Sequence, residues 1–218
     1  MARSFVARAD GRFMCALEPE ERSVIRQVSD EVTQLIRMGL GGMERPGEST
    51  GSDAGADDPL TRLAAELGED QEVRAPIDPA LARLLPPASQ DDDAADEFRR
   101  FAQRGIAEGH IENLSTMQAG LEAASDLGDF GSTEVIIARD ESLAWLKGLT
   151  AIRLVLGERM GLRGDSDFDA LQALCEGGVN VEEDREPGTA GIEFLASLYE
   201  FLTWLQESLV GALNSRPH

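Results

Sequence analysis

The chain has 218 residues, a formal net charge of −21, and 42% hydrophobic against 28% charged residues. This is the composition of one globular domain. Its field repels phosphate backbones and anionic bilayers, so neither direct nucleic-acid binding nor membrane adsorption is expected. No apolar run approaches the roughly 18–20 residues of a membrane span. Met1 to Phe13 carries Arg3, Arg8 and Asp10 rather than a signal-peptide core, and a cytoplasmic location is expected.

In chain order, Phe5 to Arg8 and Arg12 to Leu17 flank Asp10-Gly11, a pair that takes the positive backbone angles of a tight turn. A β-hairpin is expected. Glu18-Pro19-Glu20-Glu21 opens a helix whose apolar face is Val24, Ile25, Val28, Val32, Leu35 and Ile36, with Gly39, Gly41 and Gly42 as its stop. Residues 43–76 are rich in Gly, Ser, Asp and Glu and read as an acidic flexible loop. Asp78-Pro79 starts a short helix through Leu81, Leu84 and Leu85, ended by Pro86-Pro87.

Asp91 to Asp93 begin a long helix with apolar positions Ala95, Phe98, Phe101 or Ala102, Ile106, Leu114, Met117 and Leu121. Gly105 and Gly109 mark a point where it could bend. Val135-Ile136-Ile137 reads as a third strand pairing with the hairpin. The next helix carries Trp145, Leu149, Ile152, Leu156 and Met160 on one stripe. The last, 190–213, is apolar around most of its circumference. That calls for either a central position in the bundle or a second buried face in a homodimer, with the central position favoured.

The expected fold class is mainly α: a helical bundle with a small N-terminal antiparallel β-hairpin and one further short strand. The expected organisation is one domain, comprising hairpin and first helix (1–39), acidic loop (40–77) and helical bundle (78–218).

Four segments taken together carry a family likeness. They are Asp78-Pro79-Ala80-Leu81-Ala82-Arg83-Leu84-Leu85-Pro86 followed by Asp91 to Arg100, then Trp145-Leu146, then Ile152 to Leu162, then Tyr199 to Leu209. In this order and spacing the chain resembles the actinobacterial family of the actinomycete oxidative stress regulator, long catalogued as a domain of unknown function. It departs from that pattern at Pro87 and at Thr150-Ala151. The resemblance implies a cytoplasmic regulator that acts through a protein partner; in the family's characterised branch this is thiol-based sensing of oxidants coupled to a sigma factor. No catalytic residue set can be assembled, so no enzymatic activity is expected. Cys15 and Cys175 are the only cysteines and hence the candidate redox pair. Cys15 alternates with Phe13 and Leu17, which points its side chain inward as a small hydrophobe. Cys175 stands beside Glu176, whose charge disfavours the thiolate. The reading of the residues favours two unpaired thiols.

Candidate partner-surface residues are Arg99, Arg100, Arg153, Arg159 and Trp204. For the arginines, interhelical ion pairing with carboxylates such as Asp96 and Glu97 is the favoured alternative. No catalytic, cofactor-binding or metal-binding residue is assigned. His110 is the only non-terminal histidine and has no sequence partner for nucleophilic catalysis. Asp165, Asp167, Asp169 and Glu176 match a calcium-loop template except at Ala170, where the sharp turn needs Gly. A helix cap is the preferred reading there. Two alternatives to the regulator remain: a redox-inert adaptor of unknown partner, and a small acid/base or metal-dependent enzyme.

Overall fold

The computed structural model describes residues 2–43, 75–87, 89, 91, 94, 98–126, 133–162, 167 and 189–215. The side chains of 41–43, 99–100, 125–126, 133 and 189–190 are outside that description. The fold is mainly α with a minor antiparallel sheet. In order the elements are β1 (Arg3–Ala7), β2 (Phe13–Leu17), α1 (Pro19–Met43), α2 (Pro79–Leu84), a π-turn (Arg99–Gln103) running into α3 (Arg104–Glu122), β3 (Ser125–Asp126), β4 (Thr133–Ile137), α4 (Ser142–Arg159) and α5 (Thr189–Asn214).

The hairpin forms as its turn residues require. Gly11 takes φ +80°, a conformation that costs a residue with a Cβ, and its amide donates to the Arg8 carbonyl. β4 pairs antiparallel with β2, setting Cys15 opposite Val135 and Phe13 opposite Ile137. The sheet order is β1-β2-β4-β3. The two-residue β3 is an addition to the expected three strands. It is too short to leave a periodic signal. Period-two alternation sends Phe5, Phe13, Cys15, Leu17, Val135 and Ile137 into the core.

Helix α1 does not stop at Gly39 but runs to Met43. Gly39 serves packing instead: a Cβ there would collide with the Leu81 side chain of α2. The long helix also differs from expectation. Ile106 is exposed, as is Phe101, while Gln103 and Ala107 are buried. The π-turn accounts for this shift. It inserts one residue into the helical repeat, so a 3.6-residue stripe drawn through Phe98 and Ala102 reaches α3 one position out of phase. The true buried stripe is Gln103, Ala107, Leu114, Met117 and Leu121.

The central helix is α4, not the last one. It packs against α1, α2, α3 and α5, whereas α5 lies on α4 and on β1. Small residues permit this. Gly148, against Met117 of α3, and Ala151 and Gly157 are buried beside the Trp145 stripe and let neighbouring helices approach closely. Trp145 itself is fully buried, edge-on to Phe5 at 5.9 Å between centroids. No helix among the described residues is long and apolar enough to cross a membrane.

Candidate functional site

α4 and α5 pack antiparallel, and a polar network closes their outer seam. Arg153 on α4 donates from Nη1 to Gln206 Oε1 (2.8 Å) and from Nη2 to the Tyr199 hydroxyl (3.2 Å). Its guanidinium carbon stands 4.9 Å from the centroid of the Tyr199 ring, a cation–π distance. Gln206 donates in turn to Thr150 Oγ1 (2.8 Å). All these partners are neutral. Among the described residues Arg153 touches no carboxylate; Asp96 and Glu97, named above as possible partners, lie outside them. The Arg153 Nε is buried without an acceptor.

Arg159, one helix turn and a half further on, does form the expected ion pair. Its Nη2 donates to Asp78 Oδ2 at 2.7 Å, tying the end of α4 to the start of α2. Arg153 and Arg159 thus do not act together. Arg99 and Arg100 lie in the π-turn, and their side chains are outside the described residues, as are Asp96 and Glu97.

Trp204 is 38% exposed, stacked on Phe201 with ring centroids 6.0 Å apart. It forms one wall of a groove of about 620 Å³ over the outer sheet face, where Val6, Met14, Ala16 and Glu134 make the floor. The Phe5 amide donates to Ser208 Oγ of α5 (3.2 Å), which fixes α5 along the edge of β1.

Cys15 faces inward as its alternation requires, and is 1% exposed. Burial, with a smaller contribution from the negative charge of Glu21, pushes its thiol pKa far up. The reactive thiolate is therefore suppressed at this position. Cys175 lies outside the described residues, as do Asp165, Asp169 and Glu176 of the calcium-loop template. Asp167 is helical and exposed.

His110 sits beneath α2. With its proton on Nε2 it donates to the Leu84 carbonyl (3.2 Å), and Nδ1 is then a buried acceptor without a partner. About two turns before His110, Gln103 does the same for the next carbonyl: its Nε2 donates to Leu85 O (3.1 Å). These two side chains cap the C-terminal end of α2, whose last carbonyls have no helical partner. That is a structural use of both groups.

Sequence reasoning found Arg153 but not Tyr199 and Gln206. Their seven-residue spacing on the last helix puts them on one face, yet nothing in the sequence said that this face meets α4.

Neither the curated proteins nor the solved structures contain a match to this chain. A family model does match, over residues 2–213 and thus nearly end to end. The chain accordingly belongs to the family described as a domain of unknown function, DUF2017.

Proposed function

We propose that this protein is a non-enzymatic cytoplasmic regulator that works by binding another protein, in the manner of a stress-response regulator acting with a sigma factor. One observation carries the reading: α5 has more apolar surface than the fold buries. Its core seam is Leu198, Leu202, Leu205 and Leu209, while Ile192, Phe194, Trp204 and Val210 remain 38–54% exposed on the same helix. Ile192 and Val210 share the flank beside α4 and Trp204 stands on the flank over the sheet, so both flanks of α5 offer apolar side chains that another molecule can cover. The sigma-factor partner and the stress context rest on the resemblance in sequence. The burial of Cys15 favours a regulator whose binding does not depend on oxidation at that position.

The test is a photo-crosslinking residue placed at Ile192 or Trp204 of the full chain in its host cytoplasm. A discrete adduct with one other protein, unchanged by oxidant and by Cys15→Ser, is the expected result. Absence of any adduct at both positions would overturn the interaction reading. An adduct formed only after oxidation and lost in Cys15→Ser would replace it with a thiol switch.

A further inference from the structure

The outer seam of α4 and α5 holds an arginine with only neutral partners among the described residues. The chain has 41 acidic and 20 basic residues, and several surface arginines find a carboxylate. Arg8, Arg12, Arg26, Arg83 and Arg159 do, at 2.7–3.5 Å, whereas Arg22 donates to the Leu121 carbonyl and Arg139 stands over the Phe13 ring. Arg153 instead rests on an amide oxygen, a phenol hydroxyl and a ring face. These contacts hold the guanidinium in one place with no carboxylate on it among the described residues. Each Nη carries a second N–H, and the side chain is only half-buried. The arrangement is a cation ordered in advance of a partner, which lowers the entropy lost when one arrives.

Apolar side chains stand on either side of it. Helical spacing puts Leu143, Thr150 and Leu154 on one outward stripe of α4, and Ile192, Tyr199, Thr203, Gln206 and Val210 on the adjoining stripe of α5. Leu143, Leu154, Ile192 and Val210 are all exposed. Because Thr150 and Arg153 meet Gln206 and Arg153 also meets Tyr199, the helices run in opposite directions. Leu143 and Val210 therefore share one end of the seam, Leu154 and Ile192 lie toward the other, and Arg153 is between. From Ile192 to Val210 the seam is roughly 27 Å long, about five helical turns.

We propose that this seam docks an amphipathic helix of a partner protein, seating one carboxylate of that helix on Arg153 between two apolar anchors. The inference rests on the protein-binding reading above and names the chemistry of the partner. The anchors require apolar residues two to three turns on either side of the acidic residue, the helix-in-groove pattern. The partner helix is otherwise neutral or basic on its outward face, since the chain's net charge of −21 repels further acid. The same repulsion weighs against a second copy of this chain as occupant.

The experiment uses a displayed library of 20-residue helical peptides with a fixed leucine stripe and randomised remaining positions, selected on the full chain. Expected are binders with Asp or Glu at one central position. Changing that residue to Gln, or making Arg153→Gln, weakens binding about tenfold each, as for one charge-assisted hydrogen-bonded contact. Combining both changes gives no further loss. Arg153→Lys recovers part of the affinity, and Ile192→Asp removes binding altogether. Circular dichroism of each variant excludes unfolding as the cause. No acidic preference, or losses that add when combined, overturns the carboxylate seat; binding still abolished by Ile192→Asp would then leave the protein-binding face standing. Failure to select any binder overturns the docking seam as a whole. So does a dimer in sedimentation that Ile192→Asp dissociates, because a second copy would then be the occupant.

Discussion

The two carboxylate oxygens of Asp78 serve different helices: Oδ1 accepts from the Ala80 amide at 2.8 Å and caps α2, while Oδ2 accepts from Arg159 at 2.7 Å at the end of α4. A six-residue helix cannot persist on its own backbone bonds, so this cap and the Gln103 and His110 contacts at its other end keep α2 on the core. Asp78→Ala should destabilise the fold by about 1–2 kcal/mol, the range for a lost N-cap, because the partly exposed ion pair adds little. Burial acts to raise the Asp78 pKa, but the hydrogen bonds from Arg159 and Ala80 outweigh it, and the net shift is downward from 3.8. The contribution is therefore complete above about pH 4 and is lost as pH falls through the lowered value. Urea unfolding at pH 6 and pH 3 should show the gap between wild type and Asp78→Ala shrinking in acid.

Two glycines of α3 should respond oppositely to alanine. A Cβ at Gly120 would come within 2.9 Å of Trp145 Cζ2, and that indole is fully buried against Phe5 with no room to withdraw. A Cβ at Gly109 meets nothing within 4 Å. Gly109→Ala should stabilise by about 0.5–1 kcal/mol through helix propensity. Gly120→Ala gains the same propensity but should lose about 1–3 kcal/mol to overpacking, for a net destabilisation. Thermal unfolding of the two variants decides it, and a stabilised Gly120→Ala would show that the Trp145 pocket is looser than its contacts imply.

The elements were legible where a local rule sufficed. Asp10-Gly11 gave the hairpin, Pro19 and Pro79 the starts of two helices, and the β-branched run Val135 to Ile137 a strand. What escaped were features set by tertiary packing. Gly39 was taken for a stop because glycine favours helix ends, whereas here it makes room for Leu81. The π-turn has no compositional mark, and one inserted residue moved Ile106 off the core stripe. The rank of the two apolar helices was inverted for a related reason. Greasy circumference was read as centrality in 190–213, while the central α4 announces itself through small residues, Gly148, Ala151 and Gly157, that hydrophobicity counts overlook. At the candidate site, Arg153 and Trp204 were legible as residues. The neutral partners of Arg153 were not, because they depend on how α5 lies against α4.

His110 should make stability sensitive to mild acid. Burial lowers its pKa from 6.5; the bond to Leu84 O acts the other way, and the positive charge of Lys147 lowers it further. Between the lowered value and 6.5 the unfolded chain binds the proton and the folded one does not, so stability falls as pH drops through this interval. The slope from this group cannot exceed about 1.4 kcal/mol per pH unit. His110→Gln keeps a side-chain amide able to cap the α2 carbonyl but cannot titrate. Urea unfolding between pH 7.5 and 5 should therefore be flatter for His110→Gln than for wild type. Parallel curves would mean that His110 charges as readily folded as unfolded.

Cys15 should be chemically silent until the sheet opens. It is 1% exposed on the core face of β2, and both desolvation and the nearby charge of Glu21 oppose ionisation. Alkylation needs both access and the thiolate, so labelling in the native state has to wait for local opening of the β2–β4 pairing. In a Cys175→Ser background, iodoacetamide at pH 8 should modify Cys15 on the order of 100-fold more slowly than in the urea-unfolded chain, as followed by mass spectrometry of its peptide. Val135→Ala, which removes methyl groups from the residue paired with Cys15 across the sheet, should loosen this region and speed the reaction. Native labelling at the unfolded rate would mean that the thiol is reached without opening. That outcome would reinstate Cys15 as a sensor, because a cysteine in oxidant-accessible register on β2 would no longer be a packing residue alone.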